Sequence, residues 1–197
     1  KRTPFKTRRD ALTSCLKMTT LRVQLKRLYI NTWAKGSSMQ MNRRMAELLT
    51  SRVVESAKKV ELHRDLAKII EEGFSKVDGV VVFKATHRLA ASADIDSFPD
   101  LTGYECFANH LHIEDYLTDG HNVDQEEKLL QGVGFCFCLE SALKKFSIDN
   151  FRIIISFDGD SCNVRFHKVR PGETWLVDDL ESYKEEALVV LNTSEIE

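Results

Sequence analysis

The sequence predicts an α+β fold: long N-terminal helices forming an αα-hairpin, then a mostly antiparallel sheet with helices on one face. Three observations carry this expectation. Apolar residues recur at helical spacing through most of the first 74 positions. The run Gln125 to Phe146 places Leu129, Val133, Cys136, Leu143 and Phe146 on one helical face. The run Phe151 to Lys168 joins a β-branched, aromatic stretch to an alternating one across Asp158-Gly159-Asp160-Ser161. Hairpin strands next to helical runs indicate an antiparallel sheet with helices packed on it.

Taken in order, Arg9 to Trp33 reads as a basic amphipathic helix, with Met18, Leu21, Leu25 and Leu28 on one side and Asp10 as N-cap. Gly36-Ser37-Ser38 ends it as a linker. Met39 to Phe74 reads as one long helix. Leu49, Val53, Ser56, Val60, His63, Ala67, Ile70 and Phe74 keep heptad spacing, and Leu62, Leu66 and Ile69 form a second line. That seam pairs with the basic helix or with a second copy of the chain.

Asp78-Gly79 then turns the chain into a strand from Val80 to about Leu89. Residues 90–103 read as loop, and Tyr104 to Tyr116 reads as a partly alternating strand ending in a turn or helix start. Gly132 and Gly134 each cost about 1 kcal/mol inside the next helix, a cost that close approach to a sheet or another helix would offset. Cys162, Val164 and Phe166 point inward on the return strand of the hairpin; Asn163, Arg165 and His167 point outward. Asp178 to Lys184 reads as a short helix and Ala187 to Leu191 as a buried strand.

The domain organisation follows charge. The first 35 residues hold ten basic side chains and one acid, a charge of +9. The remainder holds 18 basic against 29 acidic residues, a charge of −11. We read residues 1–35 as a basic helical segment, residues 36–38 as linker and residues 39–197 as an acidic α+β domain with a long leading helix. Gly-Ser-Ser-Met also has the form of a cloning junction, so the basic segment is either native or a fused peptide.

With 43% hydrophobic residues, three prolines and nine glycines, the composition excludes disordered and fibrous classes. No apolar run approaches the roughly 18 residues that cross a bilayer. The basic N-terminus lacks the apolar core of a secretory signal, although a transit peptide would share its charge. Five loosely spaced cysteines fit buried thiols in a reducing compartment, so a cytoplasmic location is expected.

Chemical motifs are sparse. His110 and His112 fall on one face of a strand, with Asp115 following around a turn, and these are the candidate metal ligands. The stretch approaches the His-x-His-x-Asp-His signature of metallo-β-lactamase-like hydrolases, but Glu114-Asp115 stands where Asp-His is required. Asp94, Asp96 and Asp100 lack the glycine of a calcium loop. Ser161 and Cys162 have no Gly-x-Ser-x-Gly context, and neither a phosphate-binding nor a dinucleotide-binding glycine loop occurs.

The expectation is therefore a non-enzymatic, cofactor-free acidic domain that binds a basic helix or basic protein, in the manner of an inhibitor, antitoxin or immunity protein. Candidate contacts are Arg8, Arg9, Arg22, Leu25, Lys26, Leu28, Tyr29 and Trp33 on the basic segment. On the acidic side they are Glu71, Glu72, Asp178 and Asp179. One alternative is nucleic-acid binding through the basic helix. The other is a metal-dependent hydrolase centred on His110 and His112.

Overall fold

The computed structural model describes residues 38–86, 93–118 and 123–194. The expected basic helix, its hairpin with the next helix, and the candidate contacts Arg8, Arg9, Arg22, Leu25, Lys26, Leu28, Tyr29 and Trp33 lie outside these residues. The chain runs through β1 (Ser38–Met41), α1 (Arg43–Leu48), α2 (Ser51–Ala57), α3 (Arg64–Glu72), β2 (Phe74–Val77) and β3 (Val80–Phe83). It continues through α4 (Leu101–Ala108), β4 (Leu111–His112), α5 (Gln125–Phe146), β5 (Phe151–Phe157), β6 (Cys162–Lys168) and β7 (Ala187–Asn192). This mixture of helices and antiparallel strands is an α+β arrangement.

The long helix expected over 39–74 is not formed. Three local caps cut it into short pieces. Asn42 Oδ1 accepts from the Met45 amide at the start of α1, Thr50 Oγ1 from Val53 at α2, and His63 Nδ1 from Asp65 at α3. Each side chain offers the backbone a bond that competes with continuing the preceding helix. Gly73, at φ 73°, ends α3 and releases Phe74 into a strand. The buried apolar residues of this stretch are Met45, Leu49, Val54, Ala57, Leu66, Ile69 and Phe74. Ser56 of the heptad line is exposed, so the seam proposed for pairing does not exist as a continuous surface.

β1, β7, β5, β6 and β4 form one antiparallel sheet in that order. Its centre is legible in the residue types. β5 is Phe-Arg-Ile-Ile-Ile-Ser-Phe, and Ile153, Ile155 and Phe157 stand opposite Phe166, Val164 and Cys162 of β6. These residues, with Val189 and Leu191 of β7, make an inner face that is almost wholly apolar and buried. α5 lies across it. Asp124 caps its first turn beside Glu126 and Glu127, and Lys144 and Lys145 occupy its last, both favourable to the helix dipole.

The two glycines of α5 have the packing role that would offset their cost. A Cβ on Gly132 would stand 2.5 Å from Cys162 Sγ, and one on Gly134 would overlap Val60 and lie 3.2 Å from the Ala57 carbonyl oxygen. Gly132 therefore seats the helix on the sheet, and Gly134 seats α2 and the segment after it on the helix.

The β2–β3 hairpin forms a separate two-stranded sheet across an Asp78-Gly79 turn in which both residues have positive φ, at 50° and 84°. Phe74 and Phe83 carry it onto Phe166, with ring centroids 5.6 and 4.9 Å away. The strand expected from Val80 to Leu89 stops at Phe83, and Thr86 Oγ1 donates to the Ala108 carbonyl.

The stretch read as loop and strand contains α4 instead. Asp100 caps it through the Gly103 amide, and Asp94 caps a short 3-10 turn at Ile95–Ser97. Both aspartates are thus helix caps. Glu105 of α4 and Asn109, its C-cap, lie one turn apart and tie the two sheets together. Glu105 accepts from the amides of Val81 and Lys168, and Asn109 bonds Phe83 N–H and the carbonyls of Val81 and Phe166. Arg170 closes on the fully buried Glu105 with contacts of 2.8 Å to each carboxylate oxygen.

Helices do not account for the whole cover. The opposite, outer face of the sheet is roofed by residues 169–186, an irregular strap with one 3-10 turn at Leu180–Ser182 where a short helix was expected. Leu176, Leu180 and Tyr183 pack on Ile154, Leu188 and Val190 of that face. His167, expected to point into solvent, is 1% exposed on the outer side. Its Nδ1–H donates to the Lys168 carbonyl while Nε2 has no partner among the described residues.

Candidate partner-binding face

The strap is fixed by side chains from three directions. Asn42, itself buried, accepts from the Leu188 amide and donates to the carbonyls of Tyr183 and Glu186 at 3.2 and 2.7 Å. The Arg43 amide donates to Glu181, and Arg44 to the Lys184 carbonyl. At the other end Glu173 accepts from the Thr102 amide and Arg170 holds Glu105. Within the strap, Thr174 Oγ1 donates to the Leu176 carbonyl and the Val177 amide to the Tyr183 hydroxyl.

Besides Val169 at its start, the strap holds two neighbouring apolar side chains out of the core: Trp175 is 40% exposed and Val177 56%. They alternate with Leu176, which packs inward, so local backbone geometry turns them toward solvent. Glu173, Asp178, Asp179, Glu181, Glu185 and Glu186 share the same strap. Asp178 and Asp179, two of the candidate contacts, therefore follow directly on the exposed anchors. Glu71 and Glu72 do not join them. They lie at the end of α3, which packs against α5 on the inner side of the sheet, and Glu72 pairs there with Lys68 at 3.7 Å.

A polar cluster adjoins the strap through Arg165 on the outer side of β6. Its guanidinium lies 5.3 Å from the centre of the Trp175 ring and donates to His110 Nε2 at 3.0 Å. Asn163 Oδ1 is 3.2 Å from the same nitrogen, and the His112 ring is 4.5 Å from that of His110. Burial first, and then the adjacent Arg165 and His112, push the His110 pKa down to about 4. The imidazole is thus a neutral acceptor for Arg165 at ordinary pH.

Glu114 supplies the far end of the cluster. Its carboxylate accepts the Ser161 hydroxyl proton and, at 3.1 Å, the Cys162 amide. Burial works to raise its pKa, but these hydrogen bonds outweigh it and hold the group below the usual glutamate range. His112 Nδ1 is 3.4 Å from Ser161 Oγ.

This geometry determines what the cluster can do. The Ser161 hydroxyl donates its hydrogen bond to a carboxylate, and the nearby amides are already used: Asp160 and Ser161 N–H by Asp158, Cys162 N–H by Glu114. Among the described residues, the three amides at this turn are thus committed and do not offer Ser161 an oxyanion site. His110 and His112 do lie together, as their spacing suggested, although only His112 is in a strand. The carboxylate beside them is Glu114 rather than Asp115. His110 Nε2 faces a guanidinium, and the described residues contain no group of three or more side chains placed to hold a metal ion.

The buried cysteines give no reactive thiol. Burial pushes Cys106 up to about 12 and raises Cys136 and Cys162 as well. Cys138, in contrast to the expectation of buried thiols, is exposed on α5.

Sequence reasoning missed Trp175, Val177 and Arg165 as site residues. An isolated tryptophan among Glu173, Asp178 and Asp179 in a stretch without periodicity was the available signal. No helix among the described residues is long and apolar enough to cross a membrane. No curated protein and no solved structure matches the chain. A family model, that of the Uncharacterized protein PM0498 family, matches residues 40–197, and the chain belongs to that family.

Proposed function

We propose that the acidic part of this chain is a non-enzymatic protein-binding domain that engages a basic protein or basic helix, as inhibitors, antitoxins and immunity proteins do. One observation carries the reading: a braced acidic strap presents Trp175 and Val177 to solvent beside Asp178 and Asp179. Carboxylates steer a basic partner and speed the encounter, while an exposed aromatic flanked by them supplies the desolvated anchor that retains it. Because the strap is already pinned by Asn42, Arg43, Arg44 and Glu173, little ordering is left to oppose association.

Affinity capture with the full chain, compared with a Trp175→Ala/Asp178→Asn/Asp179→Asn variant, tests this reading. The wild-type chain should retain a basic protein from its native cell extract, released as salt rises, and the variant should not. Equal retention by both proteins, or enrichment of nucleic acid in place of protein, would count against it.

A further inference from the structure

Arg165 lies beside a strap rich in acid. It is half-buried, yet among the described residues no carboxylate lies within ion-pair distance of its guanidinium. Glu186 acts on it only through its field. Among the described residues its guanidinium has one hydrogen bond, to neutral His110, and the other N–H groups of the fork have no acceptor there. Arg44 and Arg152 also bond neutral acceptors, the Lys184 carbonyl and Asn192 Oδ1, whereas other arginines have a carboxylate. Arg170 is closed on Glu105, and Arg43 on Glu47.

A guanidinium offers five N–H donors in a planar fork matched to a carboxylate. Burial already pulls the Arg165 pKa below its ordinary value. The group lies over the ring of Trp175, the exposed anchor.

We infer that Arg165 receives a carboxylate from the partner that docks on the acidic strap. This rests on the binding face proposed above and adds its register. The acidic surroundings attract a basic partner, while Arg165 repels a lysine or arginine aligned on it and rewards the alignment that places a carboxylate there. A side-chain carboxylate and a chain-terminal one offer the same chemistry.

The test is an NMR titration of the full chain, following the Arg165 Nε–H and Trp175 indole N–H signals, with Trp33→Phe used to assign the two indoles. Sodium acetate is compared with sodium chloride at matched ionic strength. Acetate should move both signals along a saturable curve that chloride does not reproduce. Arg165→Gln should weaken the Trp175 response at least tenfold, and Arg165→Lys should give an intermediate loss. Unchanged thermal midpoints establish that both variants are folded. N-acetylglycine against N-acetylaspartate amide then separates a terminal from a side-chain carboxylate. Identical shifts with acetate and chloride, or an undiminished response in Arg165→Gln, overturn the assignment. Retention of the basic partner by wild-type protein would in that case leave the docking face standing, whereas its equal retention by the strap variant would remove the face itself.

Discussion

The two faces of the central sheet solve different problems. On the inner face α5 is seated by glycine backbone on Cys162, and Phe74, Phe83, Phe135, Phe151 and Phe166 fill the space with tightly buried rings. On the outer face an irregular strap is held by hydrogen bonds to Asn42, Arg43, Arg44 and Thr102, and it leaves an aromatic, an aliphatic and several carboxylates in water. Dense apolar packing favours one arrangement and exposes little. A polar brace can hold side chains away from the core in a fixed geometry, as a binding face requires. Stability should therefore concentrate inside and recognition outside.

The joint between the sheets gives the largest expected loss. Glu105→Ala leaves the partly buried Arg170 without its counter-charge and frees the amides of Val81 and Lys168. Chemical denaturation should show a loss of about 3–5 kcal/mol, the scale for breaking one side of a buried ion pair. Next comes the helix seat: Gly134→Ala should cost about 1–3 kcal/mol, because the new methyl meets Val60 and the Ala57 carbonyl rather than a flexible side-chain end. A gain in stability on that substitution would show that helix propensity outweighs the close approach.

Asn42→Ala acts on both faces. It removes the cap of α1 and the bonds that hold Leu188, Tyr183 and Glu186, so about 1–3 kcal/mol should be lost. It should also raise hydrogen exchange at residues 180–186 beyond the increase at β5 amides. Uniform change across the protein would mean that the strap has no independent anchorage.

The polar cluster should give a pH signature. His110 has a folded pKa of about 4 against an ordinary 6.5, so the unfolded chain binds a proton over that interval while the folded chain does not. Its contribution to stability is complete above about pH 6.5 and is lost as pH falls toward 4. Glu114, also lowered, loses its contribution further down, as pH falls from the ordinary glutamate value through its folded one. His110→Gln should flatten the upper part of the pH–stability curve measured by denaturant titration. An unchanged slope between pH 6.5 and 4 would show that the folded surroundings do not hold the ring neutral.

How far these features could be read from sequence differs with the source of order. α5, the β5–β6 hairpin and β7 were legible because hydrophobic period, turn residues and burial agree in each. Residues 39–74 were not, since Asn42, Thr50, His63 and Gly73 fix local breaks that a regular apolar spacing conceals. α4 was hidden because Leu-Thr-Gly-Tyr-Glu-Cys-Phe-Ala mixes β-branched and aromatic types with a glycine, and its helicity follows from the Asp100 cap and the Glu105–Asn109 bridge. For the candidate site, the charge of Asp178 and Asp179 was visible. The pairing of Trp175 with Arg165, and the separation of Glu71 and Glu72 by the sheet, are long-range consequences of the fold.

The division between a stabilising inner face and a recognising outer face is tested most directly on one variant, Trp175→Ala/Asp178→Asn/Asp179→Asn, assayed for unfolding free energy and partner retention in parallel. The expected result is stability within about 1 kcal/mol of wild type, as for surface substitutions, together with a loss of binding of tenfold or more. Unchanged retention, or loss of binding only in step with unfolding, would contradict it.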